Sequence, residues 1–146
     1  MKEYVRPVQV RWSDLDPNFH LRHSVYYDWG ALCRIDFLYE YKLTAAVMLE
    51  LQIGPILFRE ECLFKKEIRM GDEVSINLKL LKAKKDFSLW SIQHQVIKNK
   101  ETVSAILTVD GAWLNTVERK LAFPPQQVHD VFDAMPKHES FAWMDK

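Results

Sequence analysis

The stretch from His23 to about Glu40 constrains the fold more than any other part of the chain. Val25, Tyr26, Tyr27, Trp29, Ala31, Leu32, Cys33, Ile35, Phe37, Leu38 and Tyr39 cover nearly the whole circumference of a helix. A helix this apolar has to be buried on most sides, so another part of the chain must wrap it. Gly30 in its interior is unfavourable for a helix, and a close approach of backbones would account for it. Ser24 or the Arg22-His23 peptide marks the start, and Asp28 sits in the first turns, where the dipole favours negative charge.

The segments that follow have the pattern needed to do the wrapping. Thr44 caps a short helix running to Leu51, and Gly54-Pro55 then breaks the chain. Ile56 to Ile68 reads as a strand and Gly71-Asp72 as a turn. Val74, Ile76, Leu78 and Leu80 alternate with Glu73, Ser75, Asn77 and Lys79, the signature of a half-buried strand. Lys82 to Asp86 is a charged turn into a strand from Phe87 to Ile97, and Asn99-Lys100 turns the chain again. Val103, Ala105, Leu107, Val109, Gly111 and Trp113 share one face of the last long strand. Pro124-Pro125 ends the sheet region. A helix from about Gln126 to Met135 follows, with Val128, Val131 and Phe132 on one side. Upstream, Val8, Val10 and Trp12 alternate with Gln9 and Arg11 as a first strand. The expected architecture is α+β in one domain over residues 1–146: a curled antiparallel sheet burying its apolar face on one long helix. Such a sheet has edges to protect, and pairing two subunits edge to edge does so.

Composition excludes several classes of function. Lys plus Arg and Asp plus Glu each number 20, so no global field draws in nucleic acid or an anionic membrane. The start from Met1 to Pro7 lacks the apolar run of a secretory signal, and no stretch is long enough to cross a bilayer. Cys33 and Cys62 lie in apolar segments, as free buried thiols of a cytoplasmic protein would. His20 and His23, with no third donor, do not make a metal site.

The chemistry lies just before the long helix. In the segment from Arg11 to Tyr26 a carboxylate follows a strand, then a short loop leads into the helix start. A carboxylate there can activate water while free helix N–H groups polarise a carbonyl, which suggests acyl transfer or hydrolysis. Capping and turn formation are the ordinary alternative for Asp in this place.

Two stretches carry a family resemblance. One is Asp14-Leu15-Asp16 with His20, Tyr26 and Arg34; the other runs from Ile53-Gly54-Pro55-Ile56-Leu57 through Arg59 to Met70-Gly71-Asp72-Glu73-Val74. Together, over about Val5 to Trp113, they resemble the hotdog-fold acyl-CoA thioesterases of the 4-hydroxybenzoyl-CoA thioesterase-like type. The resemblance implies a hotdog fold and hydrolysis of an acyl thioester of coenzyme A or acyl carrier protein. It implies a homodimer or tetramer, with substrate at a subunit boundary and no cofactor or metal. By position, Asp16 matches the catalytic carboxylate, as general base or as nucleophile, and His23 the residue whose backbone N–H binds the thioester oxygen. The chain departs from the family pattern at Phe19, where a glycine is usual, and at Arg22 and His23, where two asparagines are. Phe19 removes backbone freedom, and Arg22 brings a cation towards Asp16. A non-catalytic acyl-binding protein with the same pocket is the alternative these departures raise.

Asp14 faces away from Asp16 along an extended segment and reads as structural. His20 reads as a proton donor or a loop-fixing hydrogen bond, and Tyr26 as a substrate contact or a core aromatic. Arg34, inside the apolar helix, needs an acid from the sheet, with Glu60 and Glu61 as candidates. Lys84 and Lys85 fit contacts to the coenzyme A phosphates or a solvated turn.

Overall fold

The computed structural model describes residues 3–144, so Met1, Lys2, Asp145 and Lys146, the ends of the expected single domain, lie outside the described residues. The long helix, α1, spans His23–Glu40. It turns Val25, Tyr26, Trp29, Gly30, Cys33, Phe37 and Leu38 inward. Around it lie β1 (Val5–Val8), α2 (Ala45–Leu51), β2 (Ile53–Phe64), β3 (Val74–Asn77), β4 (Lys79–Ala83), β5 (Leu89–Lys98), β6 (Thr102–Asn115), β7 (Lys120–Leu121), α3 (Gln126–Ala134) and β8 (Lys137–Trp143). Thr44 caps α2 as expected, its hydroxyl accepting from Val47 N–H at 3.2 Å.

The strands form one curled sheet that runs β2, β6, β5 and then β3 and β4 end to end. β1 flanks β3, β8 flanks β4, and β7 continues as a hairpin from β6. All pairings are antiparallel except β4 with β8. The β5–β6 hairpin turns at Asn99 and Lys100, with φ of 53° and 72°, the two left-handed residues that match the strand twist. Ile76, Leu78, Leu80, Val96, Leu107 and Val109 are buried between sheet and helix. Together with α3 they make the hotdog arrangement.

Four details differ from the sequence reading. The first strand stops at Val8, and Trp12 sits 69% exposed in a single 3-10 turn over Trp12–Asp14. Asp14 bends the chain there by accepting the Arg11 N–H at 3.0 Å. Gly54 and Pro55 do not break the chain but lie inside β2, opposite Leu114 and Trp113. Proline is tolerated there because β2 is an edge strand. The segment from Val74 to Leu80 splits at Leu78 into β3 and β4, which take different outer partners. Pro124-Pro125 does not end the sheet, because the chain leaves α3 at Pro136 and returns along β4 as β8. Lys137, Glu139, Ser140, Ala142 and Trp143 of β8 are exposed, so no alternating apolar pattern announced it.

One glycine is fixed by packing. A Cβ on Gly111 would stand 2.4 Å from the Trp90 ring and 2.5 Å from the Ile56 carbonyl. Trp90 can therefore pack close to β6, where the Trp90 and Trp113 rings each stand 5.9 Å from the Phe132 ring of α3. One chain covers one side of α1: Leu32 and Tyr39 remain 53% and 46% exposed. The free edge β2 shows Leu57, Phe58, Leu63 and Phe64, also substantially exposed.

Candidate active site

The loop before α1 is built around its two aspartates, which play different parts. Asp14 is 1% exposed and holds the Arg11 guanidinium through Nε at 3.2 Å and Nη2 at 2.9 Å. Those bonds from Arg11 keep its carboxyl below the usual range. Its carbonyl accepts the Arg22 N–H at 2.7 Å, tying the loop's two ends together. Asp14 is thus a structural acceptor.

Asp16 is half-buried and forms the bend of the loop. Its Oδ1 accepts from Asn18 N–H at 2.8 Å and His20 N–H at 3.2 Å, while its own N–H donates to the His20 carbonyl at 2.8 Å. These bonds fix the carboxylate and leave Oδ2 without a hydrogen-bond donor among the described residues. Phe19 occupies the left-handed region with φ of 64°, so the bend a glycine would make is made here by a phenylalanine, at a backbone cost of about 1–2 kcal/mol. The loop is pinned to the chain after β2 by Leu21 N–H donating to the Ile68 carbonyl at 2.7 Å and by His20 Nε2, 2.9 Å from Glu67. Arg22 sends its guanidinium to the Ser13 carbonyl at 2.8 Å and the Ser24 hydroxyl at 2.9 Å. Among the described residues it makes no ion pair with Asp16.

α1 begins at His23, and its N-cap residue, Arg22, supplies no side-chain acceptor to the first turn. The Val25 N–H donates to the Arg22 carbonyl at 3.0 Å, and the His23 N–H stands before it at the positive end of the helix dipole. A cavity of about 340 Å³ collects these groups: Asp16, His20, Leu21, His23, Tyr26 and the segment Phe64 to Glu67. Tyr26 is 3% exposed, packs edge-on against Phe64 at 5.1 Å, and is pushed up to about 12 by burial. It stays protonated and shapes the wall.

Of the residues singled out in the sequence, Asp16, His23 and Tyr26 come together. Lys84 and Lys85 do not join them in this chain: they form the β4–β5 turn, at the far end of β5 from Lys98 and the Asp16 loop. Lys65 and Lys66 line the cavity instead. Sequence reasoning passed over them because they continue the apparent run of β2 towards Ile68.

A second cavity, of about 240 Å³, lies further along α1, between that helix, the first half of β2, the Trp90–Trp113 aromatics and α3. Its lining is apolar except for Arg34, which reaches Glu60 at 3.8 Å, one of the acids expected for it. Sequence reasoning missed its main partner, His94, which is fully buried on the inner face of β5. The alternation of Trp90, Ile92, His94 and Val96 was the available signal. Cys33 and Cys62 are free thiols pushed up to about 12 and about 11 by burial, so neither is a nucleophile at neutral pH. Among the described residues no three His, Cys, Asp or Glu side chains group as metal ligands, and no helix is long and apolar enough to cross a membrane.

A family model described as the thioesterase-like superfamily matches residues 10–132. The chain belongs to that superfamily. Among solved structures, this superfamily member is similar to a hypothetical protein of Staphylococcus aureus determined in complex with CoA. The TM-score is 0.83 at 16% identity, covering 94% of this chain and 88% of that one. It is also similar to the DHNA-CoA thioesterase of Staphylococcus aureus, with a TM-score of 0.80 at 14% identity over 91% and 90% of the two chains. The 1,4-dihydroxy-2-naphthoyl-CoA thioesterase of Synechocystis gives 0.80 at 15% identity over 90% and 96%. At these identities the likeness carries the hotdog fold. No curated protein matches the chain.

Proposed function

We propose that this thioesterase-superfamily protein hydrolyses an acyl thioester of coenzyme A, with Asp16 as the reacting carboxylate. The observation that carries the reading is the cavity where Asp16 and the uncapped start of α1 meet. A thioester carbonyl whose oxygen accepts from the His23 N–H is polarised towards attack, and the negative charge that develops meets a fixed dipole. Asp16, with Oδ1 anchored and Oδ2 open, either takes a proton from water or attacks the carbonyl carbon to give a mixed anhydride that water then opens. Both routes release the free acid and the thiol. Lys65 and Lys66 at the rim suit the phosphates of coenzyme A as flexible point charges.

The acting unit in this reading is a homodimer formed along β2. That strand pairs with β6 on one side and is open on the other, with apolar side chains exposed. An unpaired edge of this kind is satisfied by an antiparallel, two-fold pairing with a second copy. α1 runs antiparallel to β2: Tyr26 sits by Phe64, while Arg34 and Leu38 share a cavity with Pro55 and Leu57. Two-fold pairing of β2 sets the Phe64 end of one chain beside the Pro55 end of the other. The Asp16 cavity of each subunit then faces the Arg34 cavity of its partner, and the turn carrying Lys84 and Lys85 falls at the same end.

The test is thiol release from a panel of acyl-CoA esters by wild type and Asp16→Asn. Wild type turns over at least one ester, and Asp16→Asn loses about 10²–10⁴-fold in kcat with unchanged melting. Full turnover by a folded Asp16→Asn protein overturns the assignment.

A further inference from the structure

Three unusual residues meet at one point in the interior. Gly30 sits in the middle of α1, where a Cβ would lie 3.3 Å from Arg34 Nη1 and 3.4 Å from the His94 ring. The missing side chain lets the guanidinium fold back onto His94, with Nη1 3.0 Å from Nε2. On its other side His94 Nδ1 lies 2.8 Å from the Asn77 carbonyl. A carbonyl only accepts, so Nδ1 carries the proton; a guanidinium only donates, so Nε2 offers its lone pair. Asn77 is itself held by Gln95, through Nδ2 donating at 2.8 Å and Oδ1 accepting at 2.7 Å. Burial, with Arg34 next to the ring, pushes His94 down to about 3, so the histidine stays neutral and leaves the arginine's charge uncancelled.

Arg34 is therefore a positive charge held in position and incompletely neutralised. Its side chain is 14% exposed, and Glu60 stands at 3.8 Å, beyond hydrogen-bond length. Of five N–H donors, one is engaged at hydrogen-bond distance among the described residues. The cavity it lines is otherwise apolar. A cavity of about 150 Å³ holds a benzene ring, so 240 Å³ admits a medium acyl chain with a polar end group. A cage of hydrocarbon with one cation selects a ligand with an apolar body and an anionic oxygen end. The planar guanidinium fork fits a carboxylate best.

We infer that the Arg34 cavity receives the acyl group of the substrate and selects one carrying a carboxylate at the end remote from the thioester, which Arg34 binds. This rests on the thioesterase reading above. Glu60, whose side chain is 31% exposed, swings towards solvent as the ligand's carboxylate takes its place. His94 and Asn77 are positioning residues that aim the guanidinium.

The experiment compares coenzyme A esters of a medium straight-chain acid, its ω-carboxy counterpart of equal chain length, and a hydroxyaryl acid. The quantity read is the ratio of kcat/KM for the carboxy ester to that for the plain ester. In wild type it favours the carboxy ester by about 10- to 100-fold, the worth of hydrogen bonds to a charged group. The ratio collapses to about one in Arg34→Gln, falls several-fold in Arg34→Lys, which retains charge without the fork, and rises in Glu60→Gln. Should Arg34→Gln fail to fold, the Arg34→Lys and Glu60→Gln ratios decide. Equal use of the two esters by wild type, a ratio indifferent to Arg34, or stronger preference for the hydroxyaryl ester overturns the inference. Calorimetric binding of the same esters to Asp16→Asn separates it from the hydrolytic reading. Carboxylate-dependent binding without turnover in wild type refutes hydrolysis and upholds the Arg34 site; carboxylate-independent binding refutes the site whatever the turnover.

Discussion

The two cavities along α1 are made in opposite ways. At the helix N-terminus the parts proposed to act are backbone N–H groups and one loop carboxylate, held by bonds such as Asn18 N–H and His20 N–H to Asp16 Oδ1. In the second half of the helix the part proposed to act is a single side chain, Arg34, held by a buried histidine and surrounded by aromatic and aliphatic groups. The first arrangement is built largely from backbone groups, with Phe19 at a left-handed position and His23 at the helix start. The second depends on Gly30, Arg34 and His94 together, because each occupies space or supplies a bond that the others need. A hotdog chain can in this way keep its reacting end constant while changing what the far end of the cavity accepts.

Substitutions separate the two regions in order of effect. Asp16→Asn should cost most, about 10²–10⁴-fold in turnover with no loss in melting temperature, since it removes charge from a cavity wall and leaves packing intact. Phe132→Ala should do the reverse. It removes a 2%-exposed ring from the aromatic wall of the Arg34 cavity, and chemical denaturation should register about 3–5 kcal/mol of lost stability. A variant that lost turnover through Asp16 by unfolding, or one that tolerated Phe132→Ala without cost, would erase the distinction.

Acid should act on the second region first. His94 is neutral when folded, with its pKa pushed down to about 3, and protonates near 6.5 once unfolded. Between these values the unfolded chain binds the extra proton. The contribution to stability is therefore fully present above about pH 6.5 and declines as pH falls, by at most about 1.4 kcal/mol per pH unit. Denaturation curves between pH 7 and 4 should show this decline, and a folded His94→Gln protein should show less of it. The Asp14 contribution, whose carboxyl is held low by Arg11, begins to be lost only as pH falls through the ordinary carboxylate range, so the His94 decline starts first. The smallest effect is expected at Phe19→Gly: removing the strain of a left-handed phenylalanine offsets the flexibility a glycine adds, for a change within about 1 kcal/mol.

Much of this was legible in the residues themselves. The all-round apolar helix appeared at His23–Glu40, and the expected turns at Gly71-Asp72 and Asn99-Lys100 are present, with Gly71, Asn99 and Lys100 at positive φ. Asp16, His23 and Tyr26 were found together because they lie close in sequence, within one loop and its helix. What escaped depends on contacts distant in the chain. β8 has mostly exposed side chains and is defined by its pairing with β4, so its own sequence carries no alternation. His94 looked like one more residue on a strand; its meaning comes from Arg34, sixty positions earlier in the chain. Lys84 and Lys85 were chosen for charge and turn position, and only the sheet topology places them at the opposite end from Asp16.

The claim on which the whole arrangement turns is that each working site joins the Asp16 cavity of one subunit to the Arg34 cavity of its partner. Mixing Asp16→Asn subunits with Arg34→Gln subunits, after dissociation and reassociation, tests it with the ω-carboxy ester as substrate. In a mixed dimer one of the two boundaries would combine an intact Asp16 with an intact Arg34. Activity should then rise above that of either variant alone, in proportion to the share of mixed dimers. Activity equal to the simple average of the two variants would contradict it and place both groups of each site within a single chain.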